Sequence, residues 1–157
     1  MKASVYIETT IVSYLTAWRS SELIMAANQE ATRSWWEIAR PRFELFISQV
    51  VIQESSGGDK DAASRRLSAI EGLTELDVST KTESLAFQLL AESALPEKAK
   101  TDALHISVAT VHGIEYLLTW NCTHIANAAM RSKIERICRK AGYEPPVICT
   151  PLELMEE

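Results

Sequence analysis

The sequence predicts an α/β fold in three layers, with a central parallel sheet flanked by helices. Two observations carry that expectation. Five short apolar runs, Val5-Tyr6-Ile7, Phe43 to Ser48, Leu73 to Val78, Tyr116 to Thr119 and Val147-Ile148-Cys149, read as buried strands. Between them lie longer stretches whose apolar residues recur at three- and four-residue steps, the signature of helices that cover a sheet on both faces. The 157 residues carry no repeat and no low-complexity segment, so residues 1–157 are expected to form a single domain.

Each element has its own local cause. After the first strand, Thr9 or Thr10 is placed to cap a helix through Ile11, Val12, Tyr14 and Leu15. A second helix is expected from about Ser20 or Ser21, with Ile24, Ala27, Ala31, Trp35 and Ile38 on its buried face and Pro41 as its stop. Trp35 is therefore read as a core residue. The apolar run Val50-Val51-Ile52 leads to Glu54 and then to the break at Gly57-Gly58. Asp59 or Asp61 opens the next helix, which is expected to bury Leu67 and Ile70. Thr80 caps a helix carrying Leu85, Leu89 and Leu90, and another begins near Glu97 and stops at Gly113. A last helix from about Asn127 to Lys140 buries Ile134, Ile137 and Cys138, and Pro145-Pro146 turns the chain into the final strand.

Composition excludes several classes. A net charge of -5 is not that of a wholly basic nucleic-acid binder. Cys122, Cys138 and Cys149 are odd in number and have no C-x-x-C spacing, which argues against a disulfide framework or zinc ribbon and for a cytoplasmic setting. No segment approaches the roughly 20 apolar residues of a membrane span, and no glycine-rich phosphate loop or H-E-x-x-H pattern is present.

The residues with chemistry stand where a parallel sheet presents ligands, beyond the carboxyl ends of its strands. Glu8 follows the first strand, Glu54 lies about one helical turn after the second, Asp102 opens a helix, and Asn121 follows the fourth strand. Together they would supply oxygen ligands suited to Mg²⁺ or Mn²⁺. Asp102, His105 and His112 fall near one helical face, which raises a mixed carboxylate–histidine site as a lesser reading; His105 reads first as a packed or solvent-facing histidine. His124 stands close enough after Asn121 to touch a substrate.

The segments Tyr6-Ile7-Glu8-Thr9-Thr10-Ile11-Val12-Ser13, Ser48 to Glu54, Asp102-Ala103-Leu104-His105-Ile106 and Leu117-Leu118-Thr119-Trp120-Asn121 carry a resemblance. In this order and spacing the chain resembles the PIN-domain ribonucleases, particularly the VapC-like toxins of toxin–antitoxin systems. Two positions depart from that pattern: Glu8 stands where the family has an aspartate, and Asn121 where aspartate is frequent. The resemblance implies metal-assisted hydrolysis of RNA by a catalytic set of Glu8, Glu54, Asp102 and Asn121. Glu8, Glu54 and Asp102 are its metal ligands, for Mg²⁺ or Mn²⁺. Thr10 and Thr119 are expected beside the substrate phosphate, and Arg131, Lys133 and Arg136 on the last helix are expected to hold the RNA backbone. The implied partners are RNA, an antitoxin protein that Arg19, Arg33, Arg40 and Arg42 would suit if it is acidic, and a second copy in a homodimer. The two departures motivate an alternative, a catalytically silent PIN-like module that binds RNA or a protein.

Overall fold

A computed structural model describes residues 1–92 and 94–155. Its sheet has five parallel strands in the order β3, β2, β1, β4, β5, with β1 at Ala3–Ile7, β2 at Phe43–Ser48, β3 at Thr74–Leu76, β4 at Tyr116–Leu118 and β5 at Val147–Cys149. Seven α-helices are described: α1 (Thr9–Thr16), α2 (Leu23–Ser34), α3 (Gln49–Ser55), α4 (Lys60–Ile70), α5 (Thr80–Ala91), α6 (Lys100–Val111) and α7 (Ala128–Lys140).

The first strand of the chain is the middle of the sheet. β1 pairs with β2 on one side, Val5 opposite Leu45, and with β4 on the other, Tyr6 opposite Leu117. Val5, Tyr6 and Ile7 are fully buried, as a strand covered on both faces requires. Connections from β1 run outward through β2 to β3, then return to β4 and run outward the other way to β5. Right-handed crossovers therefore put α1 to α4 on one face and α5 to α7 on the other. Helix contacts agree: α1 packs on α2, α3 and α4, and α5 packs on α6 and α7. The reversal of winding falls between β1 and β4, which makes their carboxyl ends the switch point of the sheet.

Several boundaries differ from the expected ones. Glu8, not a threonine, is the N-cap of α1; its backbone is extended and its carboxylate accepts the Thr10 N–H at 3.2 Å. Ser79 rather than Thr80 caps α5, in a reciprocal pair with Thr82. The run after β2 is itself helical, with Ser48 as the N-cap of α3.

The larger correction concerns the second helix. Trp35 is buried, stacked on Phe43 at 5.7 Å and donating its indole N–H to the Leu154 carbonyl. Ile24 and Ile38 are exposed, however, and Gln29 and Thr32 take the inward seats. Both are satisfied there. Gln29 accepts from Ser20 N–H and donates to the Trp18 carbonyl, while Thr32 accepts from the Trp120 indole and donates to the Asn28 carbonyl. Past Ser34 the helix widens to a π turn at Trp35–Ala39 and tightens to a 3-10 turn at Arg40–Arg42. Leu67, expected in the core, is exposed at the rim of α4, whose buried residues are Ala63 and Ile70.

Candidate metal site at the switch point of the sheet

At the carboxyl end of β1, the Glu8 side chain is only 2% exposed. A buried carboxylate must be met by donors, and three converge on this one. Thr10 Oγ1 and Thr119 Oγ1 each donate to Oε1 at 2.5 Å, and Thr10 N–H donates to Oε2. The hydroxyls are themselves oriented by backbone: Trp120 N–H donates to Thr10 Oγ1 at 2.8 Å, and Asn121 N–H to Thr119 Oγ1 at 2.9 Å. Trp120 is anchored in turn by its stack on Tyr14 and its indole bond to Thr32. The two threonines expected beside the substrate thus act as clamps on Glu8.

Glu54 arrives from the last turn of α3. Its Oε1 accepts from Thr9 Oγ1 and from His105 Nε2, both at 2.6 Å, while Oε2 makes no hydrogen bond among the described residues. Burial pushes the Glu54 carboxyl up, but the His105 and Thr9 bonds outweigh it and hold the group below the ordinary carboxylate range. His105 is fully buried, from the second turn of α6. A carboxylate oxygen of Glu8, one of Glu54 and a ring nitrogen of His105 lie within 4.8 Å of one another.

Asp102 stands apart from that trio. Its Oδ2 meets His124 Nδ1 at 2.8 Å, with both side chains about four-fifths buried. Asn121 Oδ1 accepts the His124 N–H at 3.0 Å, and its backbone carbonyl accepts from Ile125 and Ala126, so Asn121 shapes the loop after β4. His112 does not share a site with Asp102 and His105; it bonds the Asp77 carbonyl. Sequence reasoning therefore grouped the acids by order and missed their imidazole partners. The i, i+3 spacing of Asp102 and His105 puts both on one face of α6 but gives neither its partner, which is His124 for Asp102 and Glu54 for His105.

On α7, Arg139 pairs with Glu135 and Glu144, and Lys140 with Glu92. Lys133 and Arg136 are exposed and Arg131 is half-buried. A cleft of about 940 Å³ between α5 and α7 is lined by Phe87, Leu90, Lys100, Met130 and Lys133 among others, and holds none of the acids of the cluster. The carboxylates lie instead beyond the carboxyl end of the central strand, with Glu8 buried and Glu54 37% exposed. Among the described residues no helix is long and apolar enough to cross a membrane, and all three cysteines are free.

The fold has a solved counterpart. A chain in the crystal structure of VapBC2 from Rickettsia felis, bound to a DNA fragment from their promoter, superposes with a TM-score of 0.58 at 18% identity, covering 94% of this chain and 98% of that one. The fold is accordingly PIN-like. No protein-family profile matches the sequence, and no curated protein does.

Proposed function

We propose that this PIN-like chain is a divalent-metal-dependent endoribonuclease that hydrolyses RNA phosphodiester bonds, and that it serves as the toxin of a type II toxin–antitoxin pair. The observation that carries the reading is the convergence of Glu8 and Glu54 at the switch point of the sheet, each held rigid by hydroxyl or imidazole donors. The donor set fits a hard cation. Among the described residues Glu54 keeps Oε2 unbonded, Glu8 keeps lone pairs on Oε2, and both are carboxylates, the ligand type of Mg²⁺ and Mn²⁺. Glu8 and Glu54 would hold the ion, with Asp102 as the third acid from the head of α6.

When bound, such an ion supplies Lewis-acid polarisation of a phosphoryl oxygen and acidifies water. The chain does the rest. Thr10 and Thr119 hold Glu8 still, and Thr9 and His105 do the same for Glu54. Asn121 sets the loop that carries His124 to Asp102. Arg131, Lys133 and Arg136 offer positive charge on an otherwise acidic molecule, which suits a polyanion.

The likeness to VapBC2 supports an antitoxin partner. Exposed Trp18, Leu23, Ile24 and Ile38 supply apolar area for that partner or for a second copy. Of the four arginines expected to meet an acidic segment, Arg33 donates to the Ala17 carbonyl and Arg40 lies over the Trp36 ring, so both are engaged within the chain.

Calorimetric titration of Mn²⁺ into the metal-free protein, beside Asp102→Ala, tests the reading together with RNA cleavage in the presence and absence of chelator. Saturable binding and cleavage, both weakened in the variant, are expected. Absence of binding and of cleavage in the wild type would overturn it. One observation favours a silent binding module instead: Glu8 is almost wholly buried and already meets three donors. RNA affinity that survives both chelation and Asp102→Ala would decide for that module.

A further inference from the structure

His105 lies close enough to Glu8 and Glu54 to be counted as a third metal ligand. Its hydrogen bonds argue otherwise, because both ring nitrogens are already engaged. Nε2 faces Glu54 Oε1 at 2.6 Å, and Nδ1 faces the Tyr6 hydroxyl at 2.8 Å. The Tyr6 hydroxyl also meets Ser48 Oγ at 2.8 Å, and Ser48 Oγ accepts the Val50 N–H at the start of α3. Tyr6, Ser48 and His105 are all fully buried, so each polar atom must find its partner inside the protein.

One direction of donation satisfies them all. Val50 N–H donates to Ser48, the Ser48 hydroxyl to Tyr6, the Tyr6 hydroxyl to His105 Nδ1, and His105 Nε2–H to Glu54. In the reverse direction the Ser48 hydroxyl has no acceptor left among the described residues, and Nε2 without its proton would face a carboxylate oxygen. Burial pushes the Tyr6 phenol well up from its ordinary value, so its O–H remains a donor.

We infer that His105 is a positioning residue for Glu54, locked by a Ser48–Tyr6 relay, and that it leaves an all-oxygen donor set of carboxylates at the site. The relay ties together three elements: β1 through Tyr6, the β2–α3 junction through Ser48, and α6 through His105. It points Glu54 Oε1 inward and frees Oε2 for a ligand. The metal half of the inference rests on the proposed nuclease reading; the hydrogen-bond half does not.

The test is nitrogen NMR of the His105 ring in ¹⁵N-labelled protein, metal-free and then at saturating Mg²⁺, with Mn²⁺ calorimetry on His105→Leu, His105→Gln and Tyr6→Phe. A protonated Nε2 and a bare Nδ1, unchanged by Mg²⁺, are expected. Removing a partner that orients a metal-binding carboxylate weakens metal affinity by about tenfold, so His105→Leu should lose about that factor. His105→Gln, which can still donate to Glu54, should recover most of it. Tyr6→Phe keeps the buried ring, so it serves even if His105→Leu does not fold, and it should lose about threefold, a part of the same effect. Loss of the Nε2 proton on adding Mg²⁺ would make His105 a ligand and overturn the inference. So would a proton on Nδ1 in the metal-free protein, or undiminished Mn²⁺ affinity in both His105→Leu and Tyr6→Phe. A protonated Nε2 in a wild type that binds neither ion supports the relay and overturns the metal-dependent reading instead.

Discussion

Glu54 couples the candidate site to the stability of the fold. Its carboxyl is raised by burial but lowered further by His105 and Thr9, and the net position is below the ordinary value of 4.5. A group depressed in the folded state stabilises the protein above its unfolded pKa, and that contribution disappears as pH falls through the folded value. Glu54→Gln should therefore be less stable than wild type at pH 7, with the gap closing below about pH 4.5, where the wild-type carboxylate itself takes up a proton. The side chain is 37% exposed, so solvent screens the effect and it stays small. Urea midpoints at pH 7 and pH 3 check it; a gap that widens toward acid contradicts the assigned direction. At this scale the sequence disclosed the acids but not their partners. Glu8, Glu54 and Asp102 are legible because carboxylates at strand ends and helix starts are conspicuous. The pairing of Glu54 with His105, 51 positions later, depends on how α3 and α6 settle against each other, and no local pattern encodes that.

Helix α2 separates two meanings of an apolar stripe. Its periodicity correctly announces a helix, yet the buried phase is set by hydrogen bonding as much as by hydrophobicity. Gln29 and Thr32 can occupy inward seats because each has partners on neighbouring elements, Trp120 among them. Ile24 and Ile38 are displaced to solvent, at 69% and 62% exposure. Substituting either with lysine should change stability by no more than about 0.5 kcal/mol, as surface positions do. Trp35→Ala, by contrast, should cost about 3–5 kcal/mol, as the truncation of a buried aromatic does. Urea denaturation distinguishes the two classes directly. If the Ile24→Lys monomer were markedly destabilised, the exposed face would have to be a cohesive part of the core. The strands were easier to read: β2 and β5 fall on the expected residues, because continuous apolar runs bounded by turns leave little freedom of phase.

For the molecule as a whole, a bound ion would act as a staple across the sheet, since Glu8 belongs to β1 and α1 while Glu54 belongs to α3. Ligand that binds only the folded state stabilises by about 2.7 kcal/mol at a hundredfold excess over Kd. For a chain of this size each kcal/mol raises the melting temperature by about 2–4 °C. Mn²⁺ should thus raise the melting temperature by several degrees, chelator should reverse the shift, and Glu8→Gln with Glu54→Gln should abolish it. Equal melting temperatures with and without Mn²⁺ would show that no ion ties these elements together. The sheet order itself was not legible from the sequence. Its strands were, but the return of the chain to β1's other side is decided by crossover handedness and by which helix faces find each other.

The bond from Thr119 to Glu8 spans 111 positions of chain. Ribosomes add about 5–20 residues per second, so on the order of ten seconds separate the synthesis of those two residues. During that interval β1 exists without β4, and Glu8 lacks both the Thr119 hydroxyl and the backbone carbonyl of Leu118 that holds its own N–H. A chain cut short anywhere before Thr119 cannot assemble the clamp at all. The order of the strands therefore works as a delay: the contact that joins Glu8 to Thr119 cannot form until β4 has been made, so this end of the sheet is completed long after its first strand.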